Sequence, residues 1–324
     1  MSELFEAYDD LDDLRESLGS ADPGERRVTI MELADLGEPA AVGLLAAVIT
    51  DADAGVREQA ARALGEYDGP EASSALASYL IDPEKPVAEA AAYSIAELKD
   101  PASADALVPL VSNAAPFVAA SALRGLRELR RPDTLQPALQ ALSSEHNLVR
   151  AEAVGVIGFL KLEEAVPALK SAAQDSDPRV RRAAVSALAF SQVAAAQETV
   201  VASLADEDWM VREMAAETLV RSPKTDAGLA ALRNAIDDDY WQVRLKATRS
   251  LGKFRAFDAV DLIGPGLSHE QPNLRKETAA ALGEIAMPEG RKYLAPFIDD
   301  NDPDVRKNVR WALSQIEKTE SAQA

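Results

Sequence analysis

Two histidines, His146 and His269, are the only imidazoles in a chain of 324 residues that has no cysteine. A metal or nucleophilic site would have to be assembled from these two, from carboxylates or from hydroxyls. The histidines fall four copies apart in the repeat described below, at different positions within it, so they cannot share a metal. One His-Glu step occurs, in "SHEQ" from Ser268, and it sits on a turn. The acidic runs "DDD" from Asp237 and "DDND" from Asp299 lack the alternating ligands and the glycine of a calcium loop, and helix capping accounts for them. No phosphate-binding glycine loop, dinucleotide fingerprint or Ser-His-Asp set is present. The expectation is a protein that is not an enzyme, with no catalytic residue, metal site or cofactor.

A more regular series is cationic. Arg26, Arg57, Arg150, Arg181, Arg212, Arg244, Arg275 and Arg306 hold one position in a repeat of 31 residues, with a single step of 32 before Val243. Such a row could bind phosphates or carboxylates. It could equally be consumed inside the protein, because Asp51, Asp82, Asp175, Asp206, Asp238 and Asp300 recur on the turns with the same period. The planar guanidinium matches a carboxylate in a two-pronged fork, so pairing within the chain is expected. The row is broken at Ala88 and Ala119, and the turn before the second break carries Asn113 and Ala115 where acids are usual. The break is either drift absorbed by packing or a bend or binding notch.

The elements that carry these residues follow from the repeat. Its reference positions are Glu25, Val56, Val87, Val118, Val149, Val180, Val211, Val243, Leu274 and Val305, giving ten copies, and the arginine stands at +1. Apolar residues at 0, +4 and +8, as in Val180, Ala184 and Leu188, form one face of a helix. Aspartate at −3 (Asp22, Asp53, Asp177, Asp208 and Asp302) is a helix cap, followed by Pro23, Pro178 and Pro303 in three copies. A second apolar segment precedes each cap, such as "EPAAVGLLAAVI" from Glu38. Each unit is therefore helix A, an Asp-rich turn and helix B. A single pair cannot bury its own apolar face, so the pairs must stack.

The fold class predicted is all-α, a right-handed α-solenoid of about ten 31-residue helix-turn-helix units. One continuous solenoid over 1–317 is expected, with 318–324 a frayed tail. Ser2–Leu18 supplies the first helix A, with Leu4, Tyr8, Leu11, Leu14 and Leu18 inside and Glu3, Glu6, Asp9, Asp10 and Asp13 in water.

The "DxDxxVRxxAxxxLG" phrases, clearest over Asp51–Gly65 and Asp175–Ala189, resemble the short HEAT-like repeats of phycobilisome lyases and their bacterial relatives. The resemblance implies the solenoid fold. Family members include bilin lyase subunits, metal-dependent hydroxylases and non-catalytic adaptors. The hydroxylases carry paired His-Glu steps that hold iron, which this chain lacks.

Bulk composition narrows the partners. A net charge of −20 disfavours nucleic acid and anionic membrane surfaces. No apolar run is long enough to span a bilayer, and the first residues, "MSELFEAYDD", do not read as a secretion signal, so a cytoplasmic location is expected. Helix B lines the concave side of such a stack, with +2, +6 and +10 open. Reading those positions along the chain gives an acidic zone (Glu58, Glu66, Glu89, Glu97 and Glu128), an apolar zone (Ala120, Ala151, Gly155, Phe159 and Phe190) and a basic zone (Arg221, Arg249 and Lys253). Tyr93 and Arg124 occupy +6 in copies 3 and 4. Trp209 and Trp241 share position −2 in successive copies, with Tyr240 beside them. Tyr93, Arg124, Phe159, Phe190, Trp209, Tyr240, Trp241 and Arg249 are the candidate partner-binding residues. The expected partner is a protein or peptide segment. The alternative is a lyase- or chaperone-like subunit that handles a chromophore or cofactor.

Overall fold

The computed structural model describes residues 11–323, with the side chain of Gln323 outside the description. All secondary structure among them is helical. The expected first helix A is therefore described only in part: 11–17 are helical, while Leu4, Tyr8 and the acids Glu3 to Asp10 lie outside the described residues. The chain divides into two compact units, Met1–Leu160 and Lys161–Ala324, which hold copies 1–5 and copies 6–10.

The B helices are the regular element. They run Pro23–Leu36, Ala54–Ala63, Lys85–Ile95, Pro116–Leu129 and Asn147–Leu160 in the first unit. In the second they run Pro178–Leu188, Trp209–Leu219, Trp241–Lys253, Pro272–Ile285 and Pro303–Gln323. Several starts have a side-chain cause. Asp22, Asp53, Asp177 and Asp208 cap their helices by accepting a backbone N–H in the first turn, at 2.8–3.0 Å. The A segments are weaker. In copies 4, 9 and 10 the α-helical part shrinks to Ala104–Leu107, Val260–Ile263 and Arg291–Leu294, each passing into a 3-10 turn that contains Pro109, Pro265 or Pro296. Proline removes the N–H that would continue the α ladder.

The core is a row of small residues between B helices. Ala60, Ala91, Ala122, Ala153, Ala184, Ala215 and Ala247, all at +4, are fully buried. Glycine at +9 lets the backbones close further. A Cβ on Gly252 would stand 2.7 Å from Cα of Ala281, and one on Gly283 would stand 2.8 Å from Cα of Ala312. No side chain fits there without moving a helix. Polar links cross the same seam: Ser94 and Ser250 donate to the carbonyls of Ala61 and Ala216 at 2.9 and 2.6 Å.

The last helix continues to Gln323, where the sequence suggested fraying from residue 318. Arg291 pairs with Glu317 and Glu320 at 3.6 and 2.7 Å, tying the final turns to the preceding segment.

Candidate functional site

The arginine row is taken up inside the protein. The fork of Arg26 grips Asp51, with Nε and Nη2 donating to its two oxygens at 2.7 and 2.8 Å. Arg57–Asp82, Arg181–Asp206, Arg212–Asp238 and Arg275–Asp300 repeat the geometry at 2.6–3.0 Å. The remaining nitrogen, Nη1, donates to the carbonyl six residues upstream, as Arg57 does to Asp51 and Arg212 to Asp206. Each arginine thus fastens its own turn to the next one. The −5 side chain also accepts the N–H two residues on, as Asp51 does from Asp53. The charges reinforce one another. Arg26 and the Asp53 N–H hold the Asp51 carboxyl below its ordinary range against the opposing effect of burial.

Where the fastening fails, a cleft opens. Ala88 cannot reach Asn113, and a cavity of about 330 Å³ lies there, lined by Leu80, Ile81, Ala88, Asn113 and Phe117. Ala119 stands in the same relation to Ser144, beside a cavity of about 280 Å³ that shares Asn113 and includes His146. In the second unit Arg244 meets His269 instead of an aspartate, beside a cavity of about 570 Å³. The two alanine breaks were legible in the sequence. The third was not, because the arginine itself is present; the signal was a histidine at −5.

The candidate partner-binding residues lie on both units. In the first, Tyr93 is 71% exposed. Arg124 also reaches the surface but is paired with Glu152 at 2.7 Å. Phe159 is 38% exposed. The guanidinium carbons of Arg127 and Arg130 both stand 5.4 Å from the Phe159 ring centroid. Arg130 ends helix Pro116–Leu129 in the left-handed region, at φ 53°. A non-glycine residue bears strain there.

In the second unit Phe190 is 49% exposed, with the Lys161 ammonium 4.3 Å from its centroid. Lys161 is again left-handed, at φ 55°. The two phenylalanines hold position +10 of successive copies, and each cation comes from the segment closing the previous B helix. Trp209 stacks on Tyr240, with centroids 5.1 Å apart and planes 8° from parallel, and Arg212 lies 5.8 Å from the Tyr240 ring. Trp241 begins the next B helix and is half-buried.

Two features differ from the sequence reading. Ala120, placed in the open apolar zone, is buried. It lies at +2 of a long helix that packs on both neighbours. The basic zone is largely neutralised. Arg249 pairs with Glu277 at 2.7 Å and Lys253 with Glu284 at 2.5 Å, while Lys246 pairs with Glu217 at 2.8 Å. The Glu277 hydrogen bond holds the Arg249 guanidinium above its ordinary value. These cations link copies as the arginine row does, at positions further along the helix.

Among the described residues no three of His, Cys, Asp and Glu converge as metal ligands would. No described helix is long and apolar enough to cross a membrane.

Repeated helix pairs joined turn to turn define the chain as an α-solenoid. A family model for HEAT repeats matches residues 11–96, 104–189, 135–219, 171–252 and 260–324, and the chain belongs to that family. The model of the phycobilisome lyase HEAT-like repeat matches residues 87–113. No curated protein matches the sequence. Solved structures share the fold at low identity. An engineered protein from a structural genomics programme is 20% identical, with a TM-score of 0.50 and coverage of 95% of this chain and 99% of that one. YibA of Escherichia coli is 16% identical, with a TM-score of 0.54 over 89% and 95% of the two chains. A structure of Kap95p with RanGDP gives 15% identity and a TM-score of 0.55 over 96% of this chain and 56% of that one.

Proposed function

We propose that this HEAT-repeat chain is a non-catalytic scaffold that binds a protein segment along the open side of its B helices. The observation that carries this reading is the state of the +10 phenylalanines. Stacking consumes the arginine row, the turn aspartates and the +4 alanines, yet Phe159 and Phe190 stay open to solvent. Each is also held under a cation supplied by a strained residue. Exposed aromatic rings flanked by arginine or lysine have the composition of interface hot spots. Tyr93 and the Trp209–Tyr240 stack extend the same chemistry within their own units. Kap95p, whose solved structure includes RanGDP, is an example of this fold engaging a protein.

The test is site-directed photo-crosslinking in the host. Probes at Tyr93 and Phe159, both in the first unit, should capture one shared protein, while a probe at the exposed Glu71 of an A helix should not. Equal capture at all three positions would remove the assignment of the binding face. Once the partner is known, Phe159→Ala should weaken binding by about tenfold or more with little change in the melt.

A second reading, a subunit that handles a chromophore or cofactor, draws on the cleft at Ala88 and Asn113, two lining residues that fall within the stretch matched by the lyase-type repeat. Its volume of about 330 Å³ is at the low end for a small-molecule site. Absorbance titration with a linear tetrapyrrole, in wild type and in Ala88→Arg, separates the two readings.

A further inference from the structure

His269 replaces the turn aspartate in a position whose neighbours allow only an acceptor. The backbone N–H of Gln271 donates to its Nδ1 at 3.0 Å, as the equivalent N–H does to aspartate in other copies. On the other side Nη2 of Arg244 stands 2.7 Å from Nε2. Both neighbours are donors, and a guanidinium cannot accept. A neutral imidazole has one acceptor nitrogen. With Nδ1 accepting from Gln271, Nε2 carries the hydrogen and points it at another N–H. Among the described residues no carboxylate pairs with Arg244, whose remaining bond, Nη1 to the Asp238 carbonyl at 2.8 Å, is the one common to the row. Two donors therefore converge at the edge of a cavity of about 570 Å³, whose lining includes Thr248 and Ser268.

We propose that Arg244 and the Nε2–H of His269 form a binding site for a carboxylate, supplied by an acidic side chain of a bound protein segment. The carboxylate accepts from both donors and takes the role that aspartate plays in the sister copies. It removes the opposition of the two N–H groups and neutralises Arg244. The joints at Arg26, Arg57, Arg181, Arg212 and Arg275 show what this fork binds when an acid is present: the two carboxylate oxygens, each at 2.6–3.0 Å. The acids that border the cavity do not fill the place. Asp261 is held by Lys292 at 2.8 Å and by the Tyr293 hydroxyl at 3.1 Å, while Asp237 is exposed and has no ion pair among the described residues. The source of the carboxylate rests on the scaffold reading above, but the site itself does not.

The charged groups around His269 also set a pH dependence. Burial and Arg244 press its pKa below 6.5, Glu270 opposes them and Arg275 adds to them, with Asp237 and the neutralised Asp261 further out. A second proton would have to sit on Nδ1, which accepts from Gln271, so the neutral imidazole is the form that keeps this geometry.

The test needs no identified partner. The chain has two histidines, so imidazole resonances of the full-length protein report on His269 directly, with His146 as internal control. Sodium acetate and a blocked Gly-Glu-Gly peptide are titrated at constant ionic strength against chloride. Both should shift His269 and leave His146 in place, with the peptide tighter if the source is an acidic side chain. Saturation by acetate with no gain from the peptide would overturn the protein source. Inorganic phosphate binding tighter than either would overturn the carboxylate class. Arg244→Gln should abolish the response, and His269→Asp, which installs the missing acid, should remove acetate's effect on the melting temperature. No response of His269 to any probe, or an equal thermal response to acetate in wild type and His269→Asp, would overturn the site while leaving the scaffold reading to its own crosslinking test.

Discussion

Copies 6 and 7 are joined by Arg181 and Asp206, copies 8 and 9 by Arg244 and His269. The two joints share a position, a backbone and an arginine, and differ in one side chain. The first is closed, with Arg181 buried and its fork saturated. The second leaves two donors facing each other beside an open cavity. The first unit offers the same contrast between the Arg57–Asp82 joint and the Ala88–Asn113 gap. The repeat therefore separates two jobs. The +4 alanines and +9 glycines bring the helices together, while the Arg–Asp fork decides whether the turns above them close or stay available.

The largest way to break that contrast is to open a closed joint. Arg181→Ala strands Asp206 and two carbonyls, and should cost about 3 kcal/mol, read as a lower urea midpoint. The converse is to close an open one. Ala88→Arg with Asn113→Asp should rebuild the fork, with a coupling energy of about 1–2 kcal/mol across the double-mutant cycle. A cycle that sums to zero would show that the gap cannot accept the fork. Next in size, His269→Asp should raise stability by about 1 kcal/mol, measured by thermal melting.

Acid should separate the joints by pH. The Arg275 fork and the Asp302 N–H hold the Asp300 carboxyl below 3.8, against the effect of burial. The unfolded chain is therefore protonated there first, and the stabilisation is complete above that value and drains as pH falls below it. His269 is depressed below 6.5 by burial and by Arg244. Above 6.5 both states are neutral, and below it the unfolded chain takes up the proton first. The copy 8–9 joint should thus begin to loosen on falling through pH 6.5, while the copy 9–10 joint holds until below pH 3.8. Hydrogen exchange of the two turns across that range reads the difference. The smallest effect belongs to the exposed pair Lys85–Glu89, where Glu89→Gln should change stability by at most about 0.5 kcal/mol.

Periodicity alone placed the B helices, their aspartate caps and the burial of the +4 alanines, because a residue repeated every 31 positions must meet one environment ten times. It also paired the arginine row with the turn acids, since a buried guanidinium requires a carboxylate or carbonyls. The sequence could nominate Phe159 and Phe190 as open, but the cations above them come from Arg127, Arg130 and Lys161, and two of these depend on left-handed backbone that no motif announces. The basic zone at Arg249 and Lys253 was visible as charge and invisible as paired charge, because its glutamates lie one copy further along the chain. His269 makes the same point at a single residue. Its type was evident from the sequence, whereas its conflict with Arg244 exists only once two turns 25 residues apart are brought within hydrogen-bonding distance. Local spacing determines what each copy is; packing between copies decides which of its polar groups remain unspent.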